Sequence, residues 1–271
     1  MHFKRAIIIS LAAVFIAGCA TGPRQAAPLP QNIGTADFVV THAASLDSVS
    51  NIQKHLNDDK DIVYHQEFGG GGAGLGILLG PIGAAANMSL IDANTQKDVD
   101  SLLNKIAVKP HDLFLEAAKG QRIDGSGDMA KGKLLLTPYV YVLKVEGGKL
   151  LVAAAILIER GAAEGKWSGK YMYQLPDSYS IGDFSHLDQA ATDSLRNGLL
   201  AGYVKLLATV AKENRERVAG EKAITFKSNF LSPRADLTMS GHIVASDDDV
   251  TWVRSLSGVY ALRKSSFYQV Q

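Results

Sequence analysis

The chain has 271 residues, 28 basic and 27 acidic, for a formal net charge of +1 at pH 7. A balance this close to neutral leaves no electrostatic basis for binding nucleic acid or adsorbing to an anionic membrane. A single cysteine, Cys19, leaves no second thiol for an internal disulfide, so an apolar core must supply the stability.

The first 18 residues have the three parts of an export signal. Met1-His2-Phe3-Lys4-Arg5 is basic, and Ala6–Phe15 is an apolar run broken only by Ser10. That run is shorter than the roughly 20 residues needed to span a bilayer. Small Ala17 and Gly18 then precede the cysteine. Ile16-Ala17-Gly18-Cys19 resembles the lipobox of bacterial lipoproteins. The resemblance implies cleavage before Cys19, diacylglycerol on its sulfur and an acyl chain such as palmitate on the new amine. Two or more chains anchor a protein stably. Ala20, where some members carry Asp, implies sorting to the outer membrane, on its periplasmic face. Without Lys4 and Arg5 the net charge is −1. In residues 19–34, Pro23, Pro28 and Pro30 predict an extended, lipidated tether. It would reach at most roughly 45–50 Å at ~3.3 Å per residue.

Residues 35–271 read as one α+β domain. Asp37–Ala44 predicts a strand, Leu46–Leu56 a helix from the spacing of Leu46, Val49, Ile52 and Leu56, and Asp61–Phe68 a second strand. Phe68–Ile91 is 24 residues without a charge, opening on a glycine run. From about Ile82 to Ala107 an amphipathic helix is expected, with Met88, Ile91, Thr95, Val99, Leu102 and Ile106 on one face and Asp98 off it. Pro110 starts a short helix that Gly120 ends, and residues 123–132 read as a loop. Lys133–Val145, Lys149–Glu159 and Lys166–Gln174 predict an antiparallel meander with glycine turns. The middle strand is apolar on both faces and is expected at the centre. Ser185-x-x-Asp188 predicts a capping box for a helix to about Val218, with a solvated charged end at 212–217. Strands at Ala223–Phe230, Leu237–Ala245, Val250–Leu256 and Gly258–Tyr268 form a β-rich tail, 223–271. The expected fold is α/β: a single mixed sheet, its meander at about 133–174, packed by two long helices, with the tail either completing the sheet or forming a subdomain.

Motifs that would mark an enzyme are missing. Gly69, Gly71 and Gly74 satisfy G-x-G-x-x-G, but a glycine run does so trivially, and bulky apolar residues and Pro81 follow. There is no G-x-S-x-G, no H-E-x-x-H and no lysine of a phosphate-binding loop. His42 and His65 lie on predicted strands without a third ligand, so no metal is expected. Asp247-Asp248-Asp249 reads as a solvated turn rather than a calcium loop. Gly198 and Gly202 predict close packing of the long helix on a neighbour, the sheet or a second copy.

Trp167–Tyr173 with its preceding hairpin is similar to the β-meander of periplasmic lipoproteins with CsgG-like or TolB-N-terminal-like α/β domains, a resemblance that bears on fold alone. The expectation for function is a non-enzymatic accessory lipoprotein without cofactor or catalytic residues. It would be held to the membrane by lipid on Cys19 and bind an envelope protein or glycan, with oligomerisation left open. One alternative is an oligomeric membrane-inserting or secretion-type component, with Leu75, Ile77, Leu78, Leu79 and Ile82 contacting membrane or partner. The other is an envelope hydrolase without a recognisable motif.

Overall fold

A computed structural model describes residues 26–29, 38–47, 52–67, 80–119, 134–160, 167–233 and 236–270. The chain runs β1 (Phe38–Val40), α1 (Ala44–Asp47), β2 (Gln53–His55), β3 (Ile62–Gln66), α2 (Gly80–Leu102), α3 (Pro110–Ala117), β4 (Leu134–Lys144), β5 (Leu150–Arg160) and β6 (Ser168–Tyr179). It continues α4 (Ile181–Phe184), α5 (Gln189–Ala211), α6 (Arg215–Ala219), β7 (Lys222–Lys227), β8 (Met239–Ser246), β9 (Val250–Ser255), β10 (Gly258–Arg263) and β11 (Tyr268–Val270).

These strands form one mixed sheet in the order β11-β7-β8-β9-β10-β6-β5-β4-β3-β2, with β1 also on β4. The expected meander β4-β5-β6 is antiparallel and central. It is joined in parallel on both sides. β1 and β3 share one edge of β4, at Leu134–Leu136 and Val140–Lys144, and β10 lies parallel to β6. Parallel neighbours need long crossovers. α2 and α3 lie on the way from β3 to β4, while α4, α5 and α6 lie on the way from β6 to the tail. The tail strands therefore extend the main sheet.

β5 shows why it must be central. Leu150, Val152, Ala154, Ile156 and Ile158 enter an apolar cluster with Leu199, Tyr203 and Leu206 of α5 and Phe114 of α3. The alternate residues Leu151, Ala153 and Ala155 enter a second cluster on the other face, with Val63, Tyr139, Met172 and Tyr260. Ile224 and Phe226 of β7 and Phe230 join that second cluster. The sheet thus curls around its own second face. Register shifts at Leu151/Ala153 and Ile243/Ala245 mark irregularities of the kind that bend sheets. Pro176 falls within the first of these, where its missing N–H costs no ladder bond.

α5 closes on the sheet through its glycines. A Cβ on Gly202 would lie 2.9 Å from the Ala154 Cβ, and one on Gly198 would lie 3.1 Å from Leu175. The close packing expected of this pair is against the sheet. At Gly258, φ is +149° and a Cβ would run into the Lys170 carbonyl, so only glycine fits where β10 starts against β6.

Several local expectations are corrected. The Leu46–Leu56 helix is a single turn, Ala44–Asp47, followed by strand β2. Gln53–His55 pairs with Val63–His65, and Leu56 is buried where its N–H donates to the Ile62 carbonyl. Edge pairing overrides helical spacing here. The first strand is shortened to three residues, while β6 runs on to Tyr179. Ser185 does not cap a helix; Ser180 caps α4, and Asp188 caps α5 by accepting from the Ala191 N–H. The long helix ends at Ala211, and Asn214 caps a separate α6. On α2, Met88 is exposed, whereas Ile91, Thr95, Val99 and Leu102 are buried. Asp98 is also buried, 2.6 Å from both the Tyr64 hydroxyl and Lys144 Nζ. Finally, Ala26–Leu29, inside the predicted tether, are bound to the folded body: Ala26 N–H donates to the Ser255 carbonyl and Leu29 is buried.

Candidate functional site

Among the described residues, the most deeply buried ion pairs join Arg254 to Glu213 and Glu221, whose side chains are 1%, 2% and 3% exposed. β9 turns Arg254 toward the helical side, where the break between α5 and α6 brings Glu213 inward. The 212–217 segment is therefore not wholly solvated. Arg254 Nε and Nη2 donate to Glu221 at 2.9–3.2 Å, and Nη2 donates to Glu213 at 3.0 Å. Glu213 also accepts from the Tyr171 hydroxyl at 3.1 Å and the Leu29 N–H at 2.8 Å. Burial pulls the Arg254 pKa down, but the Glu221 and Glu213 carboxylates outweigh it and hold the guanidinium charged. Burial, with Glu213 close by, pushes the Tyr171 phenol up. An adjoining cavity of about 230 Å³ is lined by Lys205, Lys212, Arg217, Asp247 and Trp252. With its fork engaged by two carboxylates, Arg254 is not an anion receptor. It is a clamp that ties β9, the helix break and the N-terminal segment together.

Glu221 gives this clamp a pH signature. Burial raises its pKa above the ordinary value of 4.5, more than the Arg254 hydrogen bond lowers it. An acid with a raised folded pKa adds stability below its unfolded pKa, and that stability is lost as pH rises through the folded value. Glu221→Gln should remove this loss. The stability of Glu221→Gln relative to the parent should rise with pH from about 4.5 upward, read by urea titrations at pH 4–8. A pH-independent difference would assign the slope to other groups.

The second candidate is the hollow of the curled face, a cavity of about 220 Å³. β2, β3 and β4 bring Gln53, His65, Glu67 and Tyr141 to it; β6 brings Lys170 and Met172; Phe230 and Met239 come from the tail, and Ser255, Ser257 and Tyr260 from β9, β10 and their turn. The Gln53 amide lies 3.0 Å from His65 Nδ1, and His65 Nε2 lies 3.0 Å from Glu67 Oε1. With Gln53 donating to Nδ1, the Nε2 proton goes to Glu67. Both ring nitrogens are occupied, so His65 has no free nitrogen with which to activate a hydroxyl. The Tyr141 ring lies 5.8 Å from His65 and 6.1 Å from Phe230. Lys170 Nζ lies 5.9 Å from the centre of the Tyr260 ring, whose hydroxyl is 2.8 Å from Ser257 Oγ. Amide, ammonium and hydroxyl groups beside aromatic rings suit recognition of a polar ligand with flat or apolar parts.

Of the predicted site residues, Cys19, Leu75, Ile77, Leu78 and Leu79 lie outside the described residues. Ile82 is on α2, with its side chain also outside them. His42 and His65 are not joined: His42 pairs with Asp47 at 3.3 Å. Among the described residues, no three His, Cys, Asp or Glu side chains are grouped to hold a metal ion. The Asp247 carboxylate accepts from the Asp249 and Val250 N–H groups, making the turn between β8 and β9. Sequence reasoning missed Arg254, Glu213, Glu221 and the Gln53-His65-Glu67 set. A signal existed for one: an arginine inside the otherwise uncharged strand Val250–Ser255 needs buried acids. Compared with protein-family models, curated proteins and solved structures, the chain matches none.

Proposed function

We propose that this chain is a lipid-anchored lipoprotein of the bacterial outer membrane. It faces the periplasm and binds an envelope protein or glycan through the concave face of its sheet, without catalysing a reaction. The observation that carries the reading is Ile16-Ala17-Gly18-Cys19 behind a basic and then apolar leader. The hollow at Tyr141, Lys170 and Tyr260 supports a binding role, because its polar groups are arranged to recognise rather than to react.

In cells, Cys19→Ser should lower the membrane-bound fraction about tenfold or more, and the mature parent should carry the mass of its acyl chains. An intact leader or a bare thiol at position 19 removes the anchor. Cross-linked envelopes should yield one specific partner that Ser257→Trp, at the exposed rim of the hollow, no longer captures. Equal recovery from both proteins would remove the concave face from the proposal.

A further inference from the structure

The anchor and the fold meet at the turn between β9 and β10. The Ala26 N–H donates to the Ser255 carbonyl at 2.8 Å, and the Leu29 N–H donates to Glu213 at 2.8 Å. Leu29 is 7% exposed, so this segment is held by burial as well as by hydrogen bonds. Cys19 precedes Ala26 by seven residues. Fully extended, that length of chain covers at most about 25 Å, roughly half the reach of the whole 19–34 stretch. Headgroups take up about 5–8 Å of it on each side of a bilayer. The edge of the domain carrying Ser255 is thereby leashed within about 20 Å of the headgroup surface.

That edge has the chemistry of an interfacial contact. Leu256 is 66% exposed, the most exposed large apolar side chain among the described residues. It sits between two serines that brace the turn: Ser255 Oγ is 3.1 Å from Ser257 Oγ and accepts from the Ser257 N–H at 3.2 Å. The turn itself is uncharged, and Gly258 beside it packs against the Lys170 carbonyl of β6. An exposed leucine on an uncharged, braced turn at the leashed edge fits a phospholipid surface.

We propose that the β9–β10 turn rests on the leaflet holding the Cys19 lipid, with Leu256 in the interface. This rests on the lipoprotein reading. It adds the orientation of the domain: the rim of the hollow at Ser255 and Ser257 lies at the bilayer, so its ligand is one presented at the membrane surface.

The test uses the mature, lipidated protein in phosphatidylethanolamine–phosphatidylglycerol vesicles with a headgroup-attached quencher. A fluorophore is placed on Leu256→Cys or, as control, on Glu146→Cys. Glu146 is exposed in the β4–β5 turn, at the other end of β5 from Leu157, the partner of Lys170. Quenching at 256 should exceed that at 146 about threefold, and inserting ten Gly/Ser residues after Gly22 should remove most of the difference. Equal quenching at the two positions of an acylated, vesicle-bound protein overturns the orientation and leaves the anchor standing. A protein without acyl mass overturns both.

Discussion

Arg254→Met will destabilise the protein by about 3–5 kcal/mol, because it leaves two carboxylates buried with no cation between them. Glu213 and Glu221 are 2% and 3% exposed and cannot recover hydration without opening the break between α5 and α6. One of them will take up a proton, so the loss should shrink toward acid pH. A triple variant, Arg254→Met with Glu213→Gln and Glu221→Gln, should recover most of the stability, since removing a whole buried ionic set is often close to neutral. Urea unfolding of the parent, single and triple variants decides the matter. A single variant within about 1 kcal/mol of the parent would show that water reaches the two acids.

Tyr203→Ala will cost a similar amount, about 3–5 kcal/mol, through the cavity it opens between three elements. The side chain of Tyr203 on α5 is fully buried; its ring meets Phe114 of α3 edge-on at 5.7 Å, and its hydroxyl donates to the Tyr139 carbonyl of β4 at 2.9 Å. Tyr203→Phe keeps the ring and loses only the hydrogen bond, for about 1–2 kcal/mol. Calorimetric or urea melts of the two variants separate packing from hydrogen bonding. Equal losses would mean that the hydroxyl, not the ring, holds the helix to the sheet.

The two variants probe different levels of information. Tyr203 belongs to the stripe Leu195, Leu199, Tyr203, Leu206 and Val210, which repeats at helical spacing and is buried as that spacing requires. The meander was equally plain, because β4, β5 and β6 are long alternating or doubly apolar runs separated by glycine turns. Arg254 shows the opposite. Its acids are 41 and 33 residues away in sequence, and nothing local marks them as its partners. The same holds for His65, whose neighbours in the hollow come from both halves of the chain. β2 was misread for a related reason, since Leu46, Val49, Ile52 and Leu56 satisfy a helical period while the edge of β3 demands a strand.

By itself the sequence determined the central meander, the amphipathic helices and the mixed α/β class. These depend on residue type and on periods of two or 3.6, which neighbouring residues set among themselves. Only the tertiary structure decided that the tail joins β6 in parallel, that the sheet curls to form a hollow, and that Ala26–Leu29 are bound to the β9–β10 turn and the Arg254 clamp. Those features are pairings between distant segments, chosen by which unsatisfied edges, buried charges and apolar faces could be matched once the local elements had formed.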